Sequence, residues 1–138
     1  MKPLHLHGRK VCQHVLTKGT FWRGKTMTIR WLSGVPLPVW RELKERAPQG
    51  LYIGTFAPLS LSKRAVDRNR MRRRIREALR ILLKEEQEFP AAQLLLAPRS
   101  SSLSCDFAEI VADIRAFLSS LRACLRSQPR NGEVSSNS

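Results

Sequence analysis

Carboxylates are scarce in this chain: 11 Asp and Glu stand against 25 Lys and Arg over 138 residues, a formal net charge of +14. With so few acids no pair is set up for general acid–base work, and Glu85, Glu86 and Glu88 read as the solvated end of a helix. Cysteine is scarcer still. Cys12, Cys105 and Cys124 are odd in number and widely spaced, with no Cys-x-x-Cys. That pattern points to neither a disulfide framework nor a zinc site and fits a reducing cytoplasm. His5, His7 and His14 could cluster around a metal on paper, but the first two fall in a frayed terminus, so no metal site is expected. No apolar run approaches the roughly 18–20 residues of a membrane span. The start of the chain also lacks the apolar core of a signal peptide. There is no Gly-rich phosphate cradle, the serines at 100–104 have no histidine near them in sequence, and Cys12 reads as a small core residue rather than a nucleophile. No catalytic residue is expected on the protein itself.

What is present is basic charge with enough apolar residue, 42%, to build one globular domain. Such a balance points first to RNA or DNA, then to an anionic membrane surface, then to an acidic protein. The charge is concentrated. Residues 63–80, KRAVDRNRMRRRIREALR, hold nine Lys or Arg against Asp67 and Glu77. Met71, Ile75, Ala78, Leu79 and Leu82 recur there at three- and four-residue steps, the signature of a helix with one face on a core. Arg68, Arg72, Arg76 and Arg80 form an i, i+4 ridge, with Arg73 beside it. Like charges at that spacing cost a helix roughly 0.2–0.5 kcal/mol per pair, so a ridge that keeps them implies a polyanionic partner. Arginine suits phosphate and unpaired bases, offering a planar fork of donors and a stacking face. Asn69 is open to a hydrogen bond to nucleic acid, to an anchoring bond for a neighbouring loop or arginine, or to a plain capping role at a ragged helix start.

The remaining elements follow in order. Residues 1–8 read as an irregular lead-in, and 9–18 as a short helix stopped by Gly19. The TMTIRWL segment reads as a strand, with Met27, Ile29 and Trp31 on one face and Thr26, Thr28 and Arg30 on the other. Residues 33–50, broken by Pro36 and Pro38, read as a long connection with room for a helical turn near Trp40. LYIGTFA is a second strand, and 58–62 a third short strand or a loop. The basic helix starts near Lys63 or Ala65, with Ser62 as N-cap, and runs to about Glu86. QLLLA is a strand covered on both faces. A last helix begins after Ser104, and 127–138 reads as a disordered tail. The expected class is α+β, two-layer, with helices packed on one small sheet. One RNA-binding domain spans 9–126.

AVDRNRMRRRIREAL resembles the signature of the bacterial ribonuclease P protein component, an Arg-Asn-Arg triplet followed by more basic positions on the same helix. VCQHVLTKGT resembles that family's first helix and its terminal glycine. LLLAPRSSSLSCDFAEIVADIRAFLSSL resembles its last strand, loop and helix. The likeness covers roughly residues 9–125. It implies an α-β-β-β-α-β-α order with a left-handed βαβ crossover carrying the basic helix, opposite to the usual hand. It also implies a subunit that binds a catalytic RNA and the 5′ leader of precursor tRNA, in the cytoplasm. The RNA carries out Mg²⁺-dependent hydrolysis and holds the Mg²⁺; the protein alone holds no cofactor. On this chain Arg68, Asn69, Arg70, Arg72, Arg73 and Arg76, extended by Lys63, Arg64 and Arg80, would face RNA. The leader cleft would involve Cys12, Leu16 and Arg30.

Several positions depart from the family pattern. Cys12 and Arg30 stand where aromatics are usual, Arg74 where an apolar residue is common, and the basic pair Lys63–Arg64 comes late. The 33–50 connection is long, and its WRELKER piece has no assigned role. The alternative is a general basic RNA-binding module, such as a ribosomal protein, without a part in cleavage. A helix-turn-helix DNA reader is disfavoured by Pro58 and the strand-like LYIGTFA. A membrane-surface helix is disfavoured because the apolar face has no aromatic.

Overall fold

The structure is a computed structural model that describes residues 2–6, 8–86 and 89–127. Its elements are β1 (Leu4–His5), α1 (Arg9–Lys18), β2 (Thr20–Arg23), β3 (Met27–Ser33), α2 (Leu37–Leu43), β4 (Leu51–Thr55), α3 (Ala65–Leu83), β5 (Ala92–Pro98) and α4 (Phe107–Ser127). The strands form one sheet in the order β1-β4-β5-β3-β2. β4 and β5 are parallel neighbours joined through α3, while β3 runs antiparallel to both β5 and β2. The α+β class with a βαβ crossover is therefore as the sequence implied.

Alternation in β3 decides which side of the sheet is covered by what. Met27, Ile29 and Trp31 are buried in the main core with Leu94 and Leu96 of β5, under α3 and α4. α3 contributes Ile75, Ala78, Leu79 and Leu82; α4 contributes Ile110, Ile114, Phe117, Leu118 and Leu121. Leu95 turns the other way and joins Leu6, Val15 and Tyr52 in a second cluster beneath α1. β5 is thus covered on both faces, which is why Leu94, Leu95 and Leu96 run apolar without alternation. α1 adds a partial cover to the sheet face opposite α3 and α4.

The same packing settles the charge problem of α3. Three like pairs along the ridge oppose the helix by about 1 kcal/mol in all. Against that, Met71, Ile75, Leu79 and Leu82 are each at least 96% buried, and full burial of such a side chain contributes roughly 1.5–3 kcal/mol. Packing wins by several-fold.

Several expectations are corrected. The lead-in is not wholly irregular: Leu4 and His5 pair in parallel with Tyr52 and Ile53, and Leu6 donates its N–H to Ile53 O at 3.0 Å and is buried. Residues 20–23 form a strand where none was expected. The 33–50 connection contains a real helix, α2, because Pro38 falls in its first turn, where the missing N–H is harmless. Of the strand or loop expected over residues 58–62 the structure shows the loop, a turn with Leu61 N–H bonded to Pro58 O at 3.0 Å. The N-cap of α3 is Arg64, without a side-chain cap; Ser62 Oγ instead accepts a bond from Arg64 N–H at 3.3 Å. The tail expected to be disordered lies outside the described residues, apart from Ser127, as do His7 and Glu88.

Gly19 ends α1 for a reason other than backbone freedom. Its φ is −73°, but an added Cβ would sit 2.4 Å from Val15 O and 3.0 Å from Trp31 O. The helix end and β3 approach so closely that only glycine fits.

Candidate nucleic-acid interface

The helical period carries the predicted arginines to three different places. Asn69, Arg72, Arg73 and Arg76, together with Val66, line one shallow groove of about 370 Å³ on the solvent face of α3. Within it Arg72 Nη2 donates to Asn69 Oδ1 at 2.5 Å, and Arg76 Nη2 donates to Thr55 Oγ1, at the end of β4, at 3.1 Å. Asn69 is exposed, one turn into the helix, and its amide holds a guanidinium in place. It is therefore not a cap. Arg68 is half-buried at the rim, donating to Ser62 O at 2.8 Å, and so pins the turn that precedes the helix.

Arg70 and Arg74 lie on the opposite flank. Arg70 Nε reaches Leu103 O at 3.4 Å. Arg74 does more: Nη1 donates to Ser102 O at 2.7 Å and Leu103 O at 3.1 Å, and Nη2 to Cys105 O at 2.5 Å. One guanidinium thereby ties down the short 3₁₀ turn Ser100–Leu103 that leads into α4. Lys63 and Arg64 precede the helix, both exposed, with Arg64 near Asp67 at 3.8 Å. At the far end Arg80 is held by Glu77 through both carboxylate oxygens. That hydrogen bond, helped by the charges of Arg80 and Lys84, keeps the Glu77 carboxyl below the usual carboxylate range.

The second candidate region is the sheet face that carries α1. Cys12 and Leu16 are half-buried against the cluster of Leu6, Val15, Tyr52 and Leu95. Burial pushes the Cys12 thiol above its ordinary pKa, as for a thiol packed against apolar neighbours. Arg30 pairs across strands with Leu95 and so shares that face. It does not stand alone. Its guanidinium lies 4.9 Å from the centre of the Phe21 ring, its partner on β2. Phe21 is 49% exposed, and Phe56, one residue beyond β4, is 43% exposed with its N–H bonded to Leu96 O at 2.9 Å. The alternation of β4 carries Phe56 to the same face as Tyr52. Neither phenylalanine, nor Val66 in the arginine groove, stands out in the sequence pattern. The one available signal is a bare aromatic two residues after Gly19.

Among the described residues no three His, Cys, Asp or Glu side chains lie close enough to hold a metal ion, and no helix is long and apolar enough to cross a membrane. What the chain offers chemically is a fixed array of guanidinium donors beside an amide, and a sheet face with exposed aromatics. Such a surface has the chemistry to take phosphates and unpaired bases.

Comparison with known proteins points the same way. The family model of ribonuclease P matches residues 1–122. The ribonuclease P protein component of Chloroflexus aggregans is 35% identical over 113 residues, covering 81% of this chain and 75% of that protein. The protein of the same description from a Cyanothece species is 28% identical over 122 residues, covering 86% and 92%. For the Thermus thermophilus component, 32% identical, the match spans 56% of its length. The Staphylococcus aureus RNase P protein superposes with a TM-score of 0.64 at 15% identity, over 88% of this chain and 99% of that one. The Thermotoga maritima RNase P protein gives 0.62 at 14%, over 86% and 96%. At those identities the structural likeness speaks for the fold alone.

Proposed function

Because the chain belongs to the ribonuclease P protein family, we propose that it is the protein subunit that binds the catalytic RNA and promotes removal of the 5′ leader from precursor tRNA. The observation that carries this reading is the groove of Asn69, Arg72, Arg73 and Arg76. Among the described residues no ion pair joins Arg72, Arg73 or Arg76 to a carboxylate, so their charge is left for an external anion. Phosphate contacts of this kind position a protein on RNA without reading sequence. The sheet face with Phe21, Arg30 and Phe56 would take the leader, by charge at Arg30 and by stacking at the phenylalanines. Cys12 and Leu16 form the wall of that cleft. Mg²⁺ enters as an ion held by the RNA, with the protein screening phosphate repulsion nearby.

Replacing Arg72 and Arg73 together by Ala tests the groove. Affinity for the catalytic RNA should fall, and the slope of log K against log salt should flatten by roughly 0.7–0.9 per lost contact. An unchanged slope would remove the groove from the interface.

A further inference from the structure

The helix α2 is not used by the reading above, yet it is neither loose nor bland. Val35 and Val39 pack against the second core, beside Val11, Cys12 and Leu16 of α1. The return from α2 to β4 is pinned by Tyr52, whose hydroxyl donates to Pro48 O at 2.7 Å. On this anchored element Leu37 is 53% exposed and Trp40 43% exposed. Trp31 is buried, and Trp22 stacks edge-on against Phe117 at 5.4 Å. Trp40 is the most exposed of the three tryptophans.

Spacing within the helix places Leu37, Trp40 and Arg41 on a single face, at i, i+3 and i+4, and the exposed Lys44 follows at its C-cap. Glu42 falls off that face, and Glu45 lies past the helix end in the 3₁₀ turn Lys44–Arg46. The helix ends at Lys44 in left-handed backbone (φ 53°), the one non-glycine residue with positive φ among those described. Lysine adopts that region rarely, and residues held there cluster at functional sites. The result is an aromatic platform flanked by two cations, on a rigid support, in a chain of formal charge +14. Charge complementarity favours a polyanion over an apolar protein surface.

We infer that the outer face of α2 is a second contact for single-stranded RNA, in which an unpaired base stacks on Trp40 while Arg41 and Lys44 hold the adjoining phosphates. The inference rests on the RNA-binding reading only in taking RNA as the partner, since the surface is separate from the α3 groove. The long 33–50 connection thereby acquires a role, extending the protein's grip on unpaired nucleotides beyond the α3 groove.

The test uses the full chain and an unstructured RNA of about 20 nucleotides, long enough to offer several bases. Trp40→Ala should weaken binding about fivefold or more, as expected for loss of one stacked base. Trp40→Phe should retain most of the affinity while abolishing the RNA-induced change in tryptophan emission. Unchanged affinity in Trp40→Ala would overturn the inference, as would an equal loss in Trp40→Phe, which would assign the effect to packing. If Trp40→Ala altered only self-association, the face would belong to a second copy of the chain and the inference would fall. The Arg72→Ala/Arg73→Ala variant, titrated in parallel, reports on the α3 groove independently, so the two readings fail separately.

Discussion

Glu77 decides how many arginines on the ridge act as uncompensated charge. It holds Arg80 through both oxygens, at the end of the row formed by Arg68, Arg72 and Arg76. Glu77→Gln should free that guanidinium, tighten RNA binding a few-fold and steepen the salt slope by up to roughly 0.7–0.9. A slope equal to that of the unaltered chain would mean that Arg80 reaches no phosphate. Acidification does not mimic the substitution. The carboxyl is held below its ordinary value, so it stays ionised from about pH 8 down past pH 5 and begins to release Arg80 only beneath the usual carboxylate range. RNA affinity measured across that window should therefore show no gain from Arg80. A rise near pH 5 that is absent from Glu77→Gln would contradict this account.

At the scale of the element, α3 is one helix with three jobs on three faces. Its buried face fixes it to the sheet, its groove faces outward, and its third flank holds the turn before α4 through Arg74. Arg74→Leu removes bonds to three carbonyls. Losing a charged donor and leaving acceptors short should cost roughly 1–3 kcal/mol of stability, seen in urea denaturation, with little change in RNA affinity. A variant as stable as the parent but poor in RNA binding would place Arg74 in the interface. The buried face and the ridge were legible in sequence because both follow the helical period. That period also leaves Arg70 and Arg74 off the ridge, but what they hold was not legible, since their acceptors lie about 30 residues downstream and belong to a turn with no periodic signal. β2 was illegible for a different reason: it is an edge strand of four residues whose side chains are mostly exposed, so it shows no alternation of burial. α2 was hidden by prolines that break a strand yet suit a first helical turn.

At the scale of the whole molecule, the two sheet faces divide the labour. One is closed by α3 and α4 and supplies nearly all the core; the other is only partly covered by α1 and α2 and keeps Phe21, Arg30 and Phe56 accessible. The hairpin between β2 and β3 is fastened to the closed side. Asp113 of α4 accepts bonds from Thr26 N–H at 2.7 Å and from its hydroxyl at 2.6 Å. Asp113→Ala should thus destabilise the fold by roughly 1–3 kcal/mol, read as a lowered thermal midpoint, and an unchanged midpoint would show the clamp to be dispensable. If the open face takes the leader as proposed, that rigidity lowers the ordering cost of holding it. The central claim is that the positive side of this fold serves a catalytic RNA. It is tested most directly by precursor-tRNA cleavage at low Mg²⁺ with the cognate ribonuclease P RNA, with and without the protein. The account predicts that the protein restores cleavage at the 5′ leader junction and that Arg72→Ala/Arg73→Ala does not. Tight RNA binding without restored cleavage would contradict it and leave a basic RNA-binding module in its place.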